Sequence, residues 1–263
     1  VLRRIPIQAE NEIDPCDGLR LVFNRMQGMM REFDPLFLVD EPPVSLKRKL
    51  VFESVKGILA CGDALLTLRG MYHYSYRRRL LNLRELASTS PQSLPEFTLE
   101  LLHDFEKATR FKLQPVFADY DNLLHVWLLA RTHLLNTIRY CWERCSGRGA
   151  EGLAGFSQAF LKSSGYGLLD HLAYNGLAMA KFGLSRAFLR PDASPSAIVH
   201  AALFDLALAI QPDGINEEAL GEASRLVASL LPHATRTSRL RSPIAQWVQV
   251  RDAVNEAWSI SRK

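Results

Sequence analysis

The chain has 263 residues and no apolar run that approaches the roughly 18 residues a membrane span needs. It lacks a one-sided charge. With 32 basic and 28 acidic side chains its net charge is +4, too mild to argue for nucleic-acid binding. Cysteine is scarce: Cys16, Cys61, Cys141 and Cys145 form no CxxC pair, which excludes a disulfide scaffold. The sequence has no GxxxxGK[ST], no HExxH and no GxSxG, and no two histidines stand four apart. It has no secretory signal pattern and no fixed-period repeat. What is present, 48% hydrophobic and 23% charged residues, is an ordinary globular balance with enough length for a large core.

Nearly everything after residue 14 has a helical period. Asp14-Pro15 is an N-cap with proline at the first helical position, followed by Leu19, Val22, Phe23, Met26, Met29, Met30 and Phe33 at three- and four-residue spacing. A second helix, with Ser45 as the expected cap, runs to about Arg69 and stops at Gly70. Its apolar positions cover more than half its circumference and leave a narrow stripe of Lys49, Glu53, Lys56, Ala60, Asp63 and Thr67. Further helices are expected from Ser75 to Ala87, from Pro95 to about Leu113, and from Asp119 or Asp121 to about Cys145. The rest should span Glu151–Lys162, Gly167–Arg190, Ser196–Ala209, Asn216–Leu231 and Ser242–Ser259, with proline and glycine between them. No strand is expected within residues 14–263. The fold class is therefore all-α, an array of about nine to ten helices with a short N-terminal extended segment. Residues 1–13 read as the remnant of an upstream domain, with Val1-Leu2-Arg3-Arg4-Ile5-Pro6-Ile7 as an edge strand without its sheet. Residues 14–87 and 95–263 form two helical parts that could be one continuous domain.

Several groups invite a chemical reading, each against a plainer one. Asp119-Tyr120-Asp121 has the alternation of a carboxylate pair for a metal on a strand, but before a helix such acids cap amides and match the dipole. Cys141 and Cys145 share a helix face; two further ligands for a metal are missing, so the four cysteines read as small buried hydrophobes of a reducing cytoplasm. The last 28 residues carry Arg236, Arg239, Arg241, Arg251, Arg262 and Lys263 against Asp252 and Glu256, a solvated basic face or an anion site. The sharpest anomaly is Tyr72-His73-Tyr74-Ser75-Tyr76-Arg77-Arg78-Arg79. If Ser75 caps a helix, three arginines fall in its first turn and oppose the dipole by roughly 0.3–1 kcal/mol each. An anionic ligand or acidic partner nearby would offset that; so would local carboxylates, with the tyrosines packed on the core.

Two segments resemble a known family: Asp17-Gly18-Leu19-Arg20-Leu21-Val22-Phe23-Asn24-Arg25, and Lys56-Gly57-Ile58-Leu59-Ala60-Cys61-Gly62-Asp63-Ala64-Leu65-Leu66 with its continuation Gly70 to Arg79. Together, over about residues 1–85, they resemble the helical region that follows the catalytic domain in some prokaryotic nucleotidyltransferase-fold proteins. The Gly-Ser turn and paired strand acids that hold Mg²⁺ in such catalytic domains are missing from this sequence. The resemblance thus implies a non-catalytic accessory domain that helps bind an acceptor or a partner. It holds no cofactor of its own; Mg²⁺ and a nucleotide would enter only through the absent catalytic domain. The expected partners are that upstream domain or another protein, and an anionic ligand, with self-association left open. Residues expected at the binding face are Asn24, Arg25, Lys56, Asp63, Tyr72, Tyr76 and Arg77; they could equally pair across helices and fix their register. The competing class is a helical protein–protein or regulatory module. An enzyme with its site between helices ranks below both, because no placed base or metal is visible.

Overall fold

A computed structural model describes residues 13–38, 40, 42–89, 94–120, 122–163, 193–231 and 242–261. Nine helices are found among them: α1 (Pro15–Glu32), α2 (Val44–Leu68), α3 (Tyr76–Thr89), α4 (Thr98–Leu113), α5 (Leu123–Ser146), α6 (Phe156–Ser163), α7 (Pro195–Ala209), α8 (Glu217–Leu230) and α9 (Pro243–Ser261). The all-α reading holds. The expected extended segment at Val1–Ile7 and the helix expected over Gly167–Arg190 lie outside the described residues, as do His171, His233 and most of the basic C-terminal cluster.

Local chemistry explains most boundaries. Asp14 accepts from the Cys16 amide at 2.9 Å and Pro15 follows, so α1 starts where the cap predicts. Ser194 and Asn216 cap α7 and α8 in the same way. Gly147, in the left-handed region at φ 67°, ends α5. Two caps differ from expectation. Serine 45 does not cap α2, which begins at Val44 after Pro43 with no side-chain cap. The cap of α5 is Asn122, accepting from the His125 amide at 3.0 Å; Phe117–Tyr120 forms a 3₁₀ turn just before it. One strand pair was also not expected: Ile210–Gln211 (β1) and Gly214–Ile215 (β2) form a minimal antiparallel hairpin around Pro212-Asp213, with Gly214 at φ 146° where other residues are strained.

Helices α1 and α2 run antiparallel in close contact. A Cβ on Gly18 would stand 3.0 Å from the Ala64 Cα, and the Met29 sulfur reaches Gly57 further along. Helices α4 and α5 cover the other sides of α2, and α5 also packs on α1. Helix α7 is apolar on every side and almost wholly buried, which makes it the centre of the C-terminal half, with α6, α8 and α9 around it. Ring contacts join the halves. Phe33, just after α1, stacks on Trp127 of α5 at 3.8 Å and meets Trp247 of α9 edge-on at 6.0 Å. One hydrophobic cluster runs from Val22 to Ile260.

Candidate functional site

Three places gather polar or cavity-lining side chains, and of the expected site residues Asp63, Tyr72 and Tyr76 belong to the first, while the other two hold none of them. The first is a buried polar knot between α2 and α3. Asp63 is 7% exposed and accepts a hydrogen bond from Arg79 Nη1; Arg79 itself is 4% exposed. The Arg79 guanidinium lies 4.0 Å from the Tyr76 ring centre and 5.3 Å from that of Tyr72. Burial pushes the Asp63 carboxyl up, while Arg79 and, further off, Arg25 pull it back. Burial also works against the charge on Arg79, but the adjacent carboxylate wins and holds that group above its usual range. The Tyr72 hydroxyl is pushed up, mainly by burial. The segment leading to α3 is pinned around this knot. Asn82 donates to the Met71 carbonyl at 2.7 Å, and the Ser75 amide donates to His73 Nδ1 at 2.9 Å. Asp63 Oδ1 and Arg79 Nε remain without hydrogen-bond partners.

Asp63, Tyr72 and Tyr76 are therefore brought together, with Arg25 near enough to be felt. The residue that unites them, Arg79, was not singled out in the sequence beyond its place in the arginine run. Of the stripe expected to be polar on α2, Ala60, Asp63 and Thr67 are buried, because α3 and its leading segment close over that end. Lys56 belongs to the open end and pairs with Glu53 at 2.7 Å. Asn24 and Arg25 sit half-buried on α1. Arg77 and Arg78 are exposed in the first turn of α3, which contains no acid.

The second place is a cleft of about 470 Å³ between α4 and α5. Glu100, His103, Asp104 and Lys107 form one stripe of α4 along it, facing His125 of α5. Asp104 Oδ2 lies 2.7 Å from His133 Nε2, which is buried beneath, and His133 Nδ1 has no partner. Sequence spacing could not reveal this pairing, since 29 positions separate the two residues. Among the described residues no three His, Cys, Asp or Glu side chains are arranged to hold a metal ion.

The third place is a cavity of about 520 Å³ lined by Phe33, Phe37, Leu50, Leu123 and Trp127, with Lys47 and Asp40 also at its walls. One helical turn beyond Trp127, Arg131 is 7% exposed, and its Nε and Nη1 meet no acceptor. Burial alone pushes that guanidinium down to about 10.

These features define a helical protein with a buried, only partly satisfied charge knot and open clefts beside it. Neither a protein-family model, nor a curated protein, nor a solved structure matches the chain.

Proposed function

We propose that this chain is an accessory helical module that presents a cationic face to an anionic acceptor or partner, beside a nucleotidyltransferase-like catalytic domain that supplies the nucleotide and Mg²⁺ chemistry. The observation that carries this reading is the division of the arginine run. Arg79 turns inward and is neutralised by Asp63. Arg77 and Arg78 are exposed at a helix start with no acid in its first turn and, among the described residues, no carboxylate within ion-pair distance. Some surface cations elsewhere do have a carboxylate partner: Arg20 has Asp17, Lys49 has Glu32, Arg84 has Glu106 and Arg225 has Glu222. Two uncompensated guanidinium groups at the positive end of a helix favour a phosphate or carboxylate partner. Four unbridged thiols suit a reducing cytoplasm.

The test is a titration with inorganic tripolyphosphate at low salt. The double variant Arg77→Ala/Arg78→Ala should bind at least about tenfold more weakly, about 1.4 kcal/mol, with an unchanged melting temperature. Arg84→Ala, which removes a compensated cation, should change little. Equal affinity of the double variant and the parent, or no binding by the parent, refutes the reading.

A second reading, a helical protein–protein module, is favoured by one patch. Phe52, Leu113 and Val116 are 38%, 51% and 43% exposed. Phe52 packs edge-on against Phe111 and Phe117 at 5.4 and 5.5 Å, which holds an aromatic surface at the α2–α4 edge. Concentration-dependent association that Phe52→Asp removes would support it.

A further inference from the structure

All four cysteines, dispersed in sequence, meet in one region. Cys16 stands in the first turn of α1, Cys61 in the middle of α2, and Cys141 and Cys145 in the last turns of α5. Cys141 is buried, and its thiol is pushed well up by that burial and by the nearby Cys145, Cys61 and Cys16. Cys61 is buried too, and burial pushes its thiol to about 12. Those two are shielded from solvent. Cys16 and Cys145 are different. Both are half-buried, both line one pocket of about 430 Å³ with Arg69, Arg144, Tyr140 and Asp14, and the Cys16 side chain is close enough to Cys145 to push its thiol up.

We propose that Cys16 and Cys145 are a reversible, peroxide-responsive disulfide site that staples the start of α1 to the end of α5. The two sulfurs have unequal roles. Burial and the neighbouring Cys16 thiol keep the proton on Cys145, whose thiol is pushed to about 12, with Asp14 acting in the same direction. Cys145 is therefore the partner that keeps its proton, and Cys16 is the sulfur that attacks first. The guanidinium groups of Arg69 and Arg144 on the same pocket add positive charge there.

In the first step Cys16 Sγ attacks an oxygen of a hydroperoxide such as hydrogen peroxide. The S–O bond forms as the O–O bond breaks, and the leaving oxygen departs as water with the thiol proton. Cys145 Sγ then attacks the Cys16 sulfur. The S–S bond forms, the S–O bond breaks, and a second water carries away the Cys145 proton. Two thiols are oxidised and one hydrogen peroxide is reduced to two waters. An S–S bond of about 2.0 Å requires the two sulfurs to close up across the shared pocket. Both sit at helix termini, where a small backbone shift costs least.

The test treats the full, reduced chain with a modest excess of hydrogen peroxide, quenches it, and counts free thiols in denaturant. Two of the four thiols should be lost and dithiothreitol should restore them; the intact mass should fall by about 2 Da. Peptide mapping should find Cys16 joined to Cys145 within one chain. Cys141→Ser should still form the bond, whereas Cys16→Ser and Cys145→Ser should form none. Retention of all four thiols overturns the proposal. So does a mapped Cys141–Cys145 or Cys61 bridge, or cross-linking only between chains. Mapping of the unsubstituted protein decides the matter even if a variant folds poorly.

Discussion

Arg79 shows how one buried charge organises its neighbours. Its partner Asp63 lies sixteen residues earlier, on another helix, and two tyrosine rings flank the guanidinium. Taking both charges out of water is costly, so the pair matters less as a source of stability than as a constraint on where α3 sits. Removing one partner is different, because the other is left buried and alone. Arg79→Ala should therefore lose about 3–5 kcal/mol in urea unfolding. The apolar double variant Asp63→Leu/Arg79→Met should recover most of that loss. A single-variant cost below about 1 kcal/mol would show that water reaches the knot. The sequence made Asp63, Tyr72 and Tyr76 visible as polar groups in odd places. It did not show that they shared a partner, because charge burial depends on which helix closes over which. Asp104 and His133 were still less visible, since each looks like an ordinary surface or core residue on its own helix.

At the scale of the element, the closest approach sets the strongest demand. Where α2 crosses α4, a Cβ on Gly62 would stand 2.3 Å from the buried Phe105 ring. No rotation of that ring within a filled core makes room. Gly62→Ala should destabilise the chain by about 3 kcal/mol, the upper end of the usual overpacking cost, with a lowered midpoint in thermal or urea unfolding. The paired variant Gly62→Ala/Phe105→Leu should recover part of it. Parent-like stability of the single variant would mean that α2 and α4 can separate. Helix periods and the caps at Asp14, Ser194 and Asn216 were readable because they depend on residues within one turn. The start of α2 and the cap of α5 were not, because several candidate polar residues stand close together there and backbone geometry selects among them. The 210–215 hairpin escaped notice because four strand residues leave no period.

For the molecule as a whole, stability carries a pH signature from inside the C-terminal half. Asp205 on α7 is 4% exposed, receives a hydrogen bond from Ser157 Oγ at 2.6 Å, and is pushed up to about 7 by burial. The unfolded chain releases this proton near 3.8. The folded state thus holds more protons between those limits, and stability falls as pH rises through them. The contribution is fully present below about 4 and lost above about 7, on the order of 4 kcal/mol in total. Asp205→Asn should flatten that part of the profile when unfolding free energy is measured from pH 4 to 8. An unchanged slope would place the titrating group elsewhere.

Composition and periodicity, acting over single turns, settled that this chain is helical and where most helices begin and end. Their faces told which sides seek a core. Which helices touch, which charges are buried together and which cysteines meet depended on packing across tens to hundreds of residues. A one-turn pattern carries no information about a neighbour that arrives from the far end of the chain. The tertiary structure alone therefore paired Asp63 with Arg79 and Asp104 with His133, and brought Cys16 and Cys145 to one pocket.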